Sequence, residues 1–219
     1  MSAPRRGHSL TATVASIAVA AFVFGASFGV LATGEGIPGW QAVAASATVF
    51  AGAAQFAALS VQQDGGSSLA VVVTGVLLNL RYLVTGAAVA SALPGGLGRR
   101  AATAQLVVDE SYALGAAAGP PGRPDAGVIV RVGSALWCSW VGGTFAGVLL
   151  GDRLGDPGSY GLDAAFPALF IAILWPLVQH RSAAVAAFGG AGVALVLAPF
   201  TPAGVPLAAA AVIGLVLSR

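Results

Sequence analysis

Apolar residues fill most of this 219-residue chain in eight long runs that short polar connectors separate. The runs cover residues 10–33, 39–61, 68–92, 101–119, 126–151, 162–179, 183–199 and 205–218. About 20 helical residues are needed to cross a hydrocarbon core of about 30 Å. The pattern predicts an all-α polytopic membrane protein of seven or eight transmembrane helices, some of them broken, with short loops. No polar stretch is long enough for a further domain, so a single transmembrane domain over 1–219 is expected. The last two runs are short and form either a tight hairpin or one interrupted span.

Composition excludes whole classes of protein. Hydrophobic residues make up 57% of the chain and charged residues 8%, against about 25% charged residues in a soluble domain. This balance excludes an ordinary soluble enzyme, a disordered tail and a nucleic-acid binder. The mean hydropathy of +0.88 points to the lipid bilayer as the surrounding medium. A net charge of +2 is too small to indicate a polyanionic partner.

Arginine placement predicts the orientation, because cytoplasmic loops carry an excess of basic residues. With eight crossings and a cytoplasmic N-terminal tail over 1–9, six arginines lie inside and three lie outside. The inside set is Arg5, Arg6, Arg123, Arg131, Arg181 and Arg219, and the outside set is Arg99, Arg100 and Arg153. If the 39–61 run were re-entrant, every later loop would change sides and the count would be five against four. Full crossing is therefore the predicted arrangement.

Two patterns that could indicate a hydrolase or a metal site do not have the sequence context that such sites require. The stretch from Gly25 to Gly29 matches the G-x-S-x-G pattern of hydrolases, but it lies inside an apolar run rather than at a strand-to-helix turn. One cysteine and two separated histidines offer no metal-ligand spacing. No Walker A pattern is present. We expect no enzyme activity, no metal and no cofactor.

Arg81 and Asn79 are anomalous because they lie near the middle of the 68–92 run. A charge at the bilayer centre costs about 2.5–3.5 kcal/mol on insertion scales, so it needs a reason. One interpretation is a structural Arg81 that pairs with an acid or caps carbonyls of a broken helix. The other is a receptor for a carboxylate, which guanidinium binds bidentately.

Asp109 and Glu110 lie midway along the 101–119 run, with Gln105 one helical turn earlier. Two adjacent acids inside one helix are hard to explain as surface decoration. The alternatives are an ion pair with Arg81, an ammonium site and a protonatable relay.

Three further features attract attention in the remaining runs. Gln55 follows Gly52, where the helix could open and expose main-chain groups. Asp163 begins a run and suits either an N-cap or a site. Small residues at four-residue spacing form a groove on the 126–151 run, from Ser139 to Gly151, that fits a neighbouring helix or a substrate path.

Six motifs follow one another along the chain: Phe24-Gly-Ala-Ser-Phe-Gly29, Phe50-Ala-Gly-Ala-Ala-Gln-Phe56, Leu78-Asn-Leu-Arg-Tyr-Leu83, Asp109-Glu110, Trp140-Val-Gly-Gly-Thr144 and Leu162-Asp-Ala-Ala-Phe-Pro-Ala-Leu-Phe170. Taken in this order, they resemble the AzlC family, the large subunit of bacterial branched-chain amino acid exporters. The resemblance covers residues 20–180. Tyr82 stands where many members have His, which weakens a proton role at that position.

The resemblance implies secondary export of leucine, isoleucine and valine, and often methionine, across the bacterial inner membrane. It also implies a small AzlD-type membrane subunit as partner. The motif positions that are also physically anomalous are the candidates for substrate binding or coupling: Gln55, Asn79, Arg81, Asp109, Glu110 and Asp163. An apolar pocket for the branched side chain would draw on nearby aromatic residues, of which the candidates are Phe50, Phe56, Trp137, Phe166 and Phe170.

Overall fold

Helices account for almost all of the chain that the computed structural model describes, which is residues 6–154, 178, 181–201 and 205–217. Within these ranges there is no strand, as the predicted all-α class requires. The helices are α1 (Arg6–Gly34), α2 (Gly39–Thr48), α3 (Gly52–Gln63), α4 (Ser68–Asn79), α5 (Arg81–Val89), α6 (Leu97–Ala104), α7 (Asp109–Ala118), α8 (Ala126–Leu154), α9 (Arg181–Leu197) and α10 (Val205–Leu217).

Three stretches within the described ranges are long and apolar enough to cross a membrane by themselves: Leu10–Gly34, Ser68–Val89 and Ala126–Gly151. The 39–61 and 101–119 runs are each divided into two shorter helices, and the 162–179 run lies almost wholly outside the described residues. The predicted total of seven or eight spans therefore stays a prediction. So does the single domain over 1–219.

The chain forms two compact units. The first comprises Met1–Gly52 and Leu80–Leu154, and the second comprises Ala53–Asn79 and Gly155–Arg219. In the second unit, α9 and α10 form an antiparallel hairpin, with Gly190 against the main chain of Ala210. Of the two alternatives for the last runs, the hairpin is confirmed.

In the first unit, α1 and α8 approach each other so closely that only glycine fits at their contact. Four glycines, two on each helix, lie directly against main-chain carbonyl oxygens of the other helix, where a Cβ atom would collide. The pairs are Gly25 with Trp140, Gly29 with Thr144, Gly143 with Phe22 and Gly147 with Ala26. The groove predicted on α8 is therefore filled by a neighbouring helix of the same chain.

This α1–α8 contact has an internal pseudo-twofold pattern. The matching glycines are 118 positions apart (25 and 143, 29 and 147), and both helices continue with Val-Leu after the second glycine. Each glycine faces the carbonyl three residues before the matching glycine of the other helix. The two stretches are therefore equivalent in structure as well as similar in sequence.

The same pairs show that α1 and α8 run parallel, because later residues of α1 meet later residues of α8. Two parallel helices in a bilayer require an odd number of crossings between them. Three apolar stretches, 39–63, 68–89 and 97–118, lie between them. The parallel contact agrees with three crossings or with one, that of Ser68–Val89 alone, whereas a single re-entrant 39–61 segment would leave α8 antiparallel to α1.

Candidate functional site

The first helix interruption lies between α2 and α3. Phe50 adopts a φ of +43°, a left-handed conformation that is strained for a bulky residue, and α3 begins at Gly52. A Cβ atom at position 52 would lie 2.7 Å from Cη2 of Trp140, so a larger residue would displace the indole ring. The prediction that the helix opens at Gly52 is confirmed.

Side chains from distant parts of the first unit cap the open end of α2. The indole N–H of Trp137 donates to the carbonyl of Ala47 at 2.9 Å, and Nε2 of Gln105 donates to the carbonyl of Thr48 at 2.6 Å. The last carbonyls of any helix lack intrahelical partners, and leaving them unpaired in lipid costs several kcal/mol. These two bonds therefore make the interruption tolerable at membrane depth.

A buried hydroxyl pair anchors the last turn of α2 on α8. The Oγ of Ser46 lies 2.8 Å from Oγ1 of Thr144, and neither residue is exposed to solvent. Thr144 also donates to the carbonyl of Trp140 at 3.0 Å. Two side chains of α8, Trp137 and Thr144, thus hold the last turn of α2.

The second interruption separates α6 from α7 at residues 105–108, so the prediction of one continuous helix over 101–119 is wrong. The hydroxyl of Ser111 donates to the carbonyl of Leu106 at 2.8 Å and accepts from the N–H of Val108 at 2.9 Å. The main chain of Leu106 packs directly on Gly133 of α8, where a Cβ atom would collide. One buried hydroxyl thus bonds main-chain groups on both sides of Val107 in the interruption.

Asp109 and Glu110 consequently lie in the first turn of α7 rather than in the middle of a helix. Negative charge is favourable at a helix N-terminus, because the free N–H groups there carry partial positive charge. Both residues are exposed. The expectation of two acids within one helix is therefore corrected to two acids at a helix start.

Arg81 follows a local irregularity at Leu80 and begins α5. Its Nη1 lies 2.8 Å from Oδ2 of Asp109, and about half of each side chain is exposed (47% in both). Its Nη2 donates to the hydroxyl of Tyr82 at 3.3 Å. The predicted ion pair exists, and its acid is Asp109.

Glu110 follows Asp109 in the first turn of α7 and has no ion-pair or hydrogen-bond partner in the part of the chain that the structure describes. The site therefore combines one cationic group, Arg81, with two carboxylates at the start of α7. Such a set can hold both ends of a small zwitterion.

The remaining candidates are not brought to this place within the first unit. Gln55 and Asn79 belong to the second unit. Gln55 is buried, at 6% exposure. The Oδ1 of Asn79 is buried and accepts no hydrogen bond from the described residues. Asp163 lies outside the described residues, as do Phe166 and Phe170.

Other sequence expectations have clear outcomes. Ser27 donates to the carbonyl of Val23 within α1 at 3.0 Å, so the G-x-S-x-G match is part of a helix. Trp137 is committed to capping α2, and Phe50 is buried at the interruption. Among the described residues no group of three metal-ligating side chains occurs.

Comparison with known proteins places the chain in a family. The sequence model described as AzlC protein matches residues 16–154, which is more than half of the chain. The chain belongs to the AzlC family. An uncharacterized membrane protein of Archaeoglobus fulgidus is 34% identical to it over 194 residues, covering 88% of this chain and 84% of the relative. No solved structure matches.

The AzlC match ends at residue 154, so it includes both interruptions and the Arg81–Asp109 pair. Sequence reasoning missed the side chains that hold these features in place, which are Gln105, Trp137 and Ser111. The sequence shows that Gln105 lies within an apolar run. It does not show the bond to Thr48, because the two residues are 57 positions apart.

Proposed function

We propose that this AzlC-family protein is a secondary transporter that exports branched-chain amino acids, namely leucine, isoleucine and valine, and methionine with them. Family membership supports transport, because the AzlC family is associated with amino acid export. The observation that carries the assignment of residues is the Arg81–Asp109 pair with Glu110 beside it at an interrupted helix.

Arg81 binds the substrate carboxylate in this proposal. Guanidinium and carboxylate form two parallel hydrogen bonds, which gives both strength and orientation. About half of each side chain in the Arg81–Asp109 pair is not covered by the protein. A substrate carboxylate can therefore approach Arg81 from the open side and take the place of Asp109.

The acids at the start of α7 bind the substrate ammonium group. Glu110 is uncommitted among the described residues, and Asp109 becomes available once Arg81 has turned to the substrate. The positive end of α7 stabilises both carboxylates while they are unpaired. When an amino acid binds, the Arg81–Asp109 ion pair is replaced by two ion pairs with the substrate. One joins its carboxylate to Arg81, and the other joins its ammonium group to an acid of α7.

The proposal also includes an energy source for export, a membrane and a partner subunit. The sequence holds no Walker A pattern, so we infer that ion or substrate gradients drive export, with one of the intramembrane acids carrying a proton. The protein acts in the bacterial inner membrane with its N-terminus in the cytoplasm. A small AzlD-type subunit is its partner.

Efflux of labelled leucine from reconstituted vesicles tests this function. Vesicles carry the protein with its small partner, with and without a pH gradient, and an Arg81→Gln variant of equal abundance is the control. We expect efflux well above that of protein-free vesicles, lost in the variant. Efflux no faster than from protein-free vesicles would contradict the assignment of leucine as the substrate. Efflux of another small amphiphilic metabolite instead would identify that compound as the substrate.

A second candidate function is a non-transporting membrane subunit or scaffold. The observation that favours it is the ion pair itself, because Arg81 and Asp109 could serve only to join α5 to α7. Leucine efflux by the wild type would contradict this candidate, and reversal of the two charges tests whether the ion pair is structural.

A further inference from the structure

Gln105 joins the two helix interruptions of the first unit. It ends α6, and its side chain reaches the last carbonyl of α2, at Thr48. Four residues later the chain reaches Asp109, the first residue of α7. A single hydrogen bond of 2.6 Å therefore connects the open end of one broken helix with the acid-bearing start of another.

We propose that Gln105 is a positioning residue for the acids of the site, an inference that rests on the proposed function. The main chain leaves the α-helical pattern between α6 and α7, where N–H groups bond carbonyls only three residues back, so the direction in which α7 starts depends on what holds this segment. Gln105 holds its beginning and Ser111 holds its end. Loss of the first attachment allows Asp109 and Glu110 to shift relative to Arg81.

Trp137 provides an internal comparison. It caps the neighbouring carbonyl of α2, at Ala47, but it comes from α8 and has no direct connection to the acids. A variant that loses this cap weakens the end of α2 and leaves the start of α7 where it was. If capping alone mattered, the two residues would give the same result on substitution.

The first experiment compares leucine efflux kinetics at equal protein abundance. Gln105→Leu removes the donor, and Gln105→Glu keeps the shape but presents a carboxylate that cannot donate. Both raise the KM for leucine about tenfold, as expected for acids that no longer reach the ammonium group. Trp137→Phe and the control Gln41→Leu, an exposed residue of α2, leave the KM unchanged. An unchanged KM in both Gln105 variants, or an equal rise in Trp137→Phe, overturns the proposal.

The second experiment does not require transport. Cys138 is the single cysteine and is exposed, so a Cys138→Ser background allows one thiol to be placed at Glu110→Cys. Its rate of maleimide labelling reports the position of the start of α7. The rate changes several-fold when Gln105→Leu is added and does not change with Gln41→Leu. Equal rates in all three proteins overturn the positioning role even if leucine proves not to be the substrate. If the wild type shows no leucine efflux but the labelling rate changes with Gln105→Leu, leucine is contradicted as the substrate and the positioning role of Gln105 stands.

Discussion

The side chains of Arg81 and Asp109 meet at 2.8 Å, and Asp109 begins α7 directly after an interruption of the helix. Asp109 is favoured at its position with or without Arg81, because it lies at the positive end of α7. The pair can therefore open without leaving the carboxylate unstabilised. A purely structural ion pair does not need the unpaired Asp109 to be stabilised, whereas a site in which Arg81 changes its partner does.

Charge reversal tests whether the pair is structural or functional. Arg81→Asp and Asp109→Arg each place two like charges side by side and lower protein abundance. The double variant restores the attraction, and we expect it to restore abundance without restoring leucine export, because the carboxylate receptor has moved to another helix. Abundance is measured by quantitative blotting of membranes and export in the same cells. Full recovery of export would show that the ion pair is structural and would contradict a role of Arg81 in substrate binding.

Glu110→Gln removes a charge that has no hydrogen-bond or ion-pair partner among the described residues. We expect the free energy of unfolding to change by no more than about 0.5 kcal/mol. The KM for leucine rises by about tenfold or more, since a charged hydrogen bond is replaced by a neutral one. Asp64→Asn, in the exposed turn after α3, is the matched control and leaves both quantities unchanged. An unaltered KM in Glu110→Gln would remove this residue from the site.

Gly133→Ala tests the contact between α8 and the second interruption. The added Cβ atom meets the main chain of Leu106, so the unwound segment must shift, at a cost of about 1–3 kcal/mol. Gly86→Ala on α5 is the control, because no atom lies within 4 Å of its Cβ position. Thermal unfolding in detergent should show a lower midpoint for the first variant and an unchanged or higher one for the second. Equal midpoints would contradict the contact.

The α1–α8 contact makes a similar comparison within one helix. Gly147→Ala places a Cβ atom against the carbonyl of Ala26, whereas at Gly142 the nearest atom is Cε2 of Phe22 at 3.9 Å. Gly147→Ala lowers the unfolding midpoint by several degrees and Gly142→Ala does not. A larger loss at position 142 would show that the helices pack through a different face.

The sequence predicted those features that depend on residue type or on local pattern. The all-α class and the opening of the helix at Gly52 follow from apolar runs and from a glycine next to polar groups. The pairing of Arg81 with an acid is one of two interpretations of an isolated charge in lipid. For the described residues the structure confirms the all-α class and the opening at Gly52, and it shows the ion pair of Arg81 with Asp109.

The interruption before Asp109 could not be predicted, because Leu106, Val107 and Val108 continue the apolar pattern of a helix. In soluble proteins a break usually carries glycine or proline, whereas here the buried hydroxyl of Ser111 takes over the main-chain bonds. A serine that does this is indistinguishable in sequence from a serine inside a helix. The caps of α2 were equally hidden, since their donors come from distant positions.

Recognition of the substrate carboxylate by Arg81 is the central claim, and a cycle of protein and ligand changes tests it most directly. Leucine and leucinamide, which lacks the carboxylate, compete against labelled leucine in the wild type and in Arg81→Gln. We expect leucinamide to bind about 10–100-fold more weakly than leucine in the wild type, the value of a charged hydrogen-bonded contact. In Arg81→Gln the two ligands should bind almost equally, because the group that reads the carboxylate is gone. The same preference for leucine in both proteins would contradict the account.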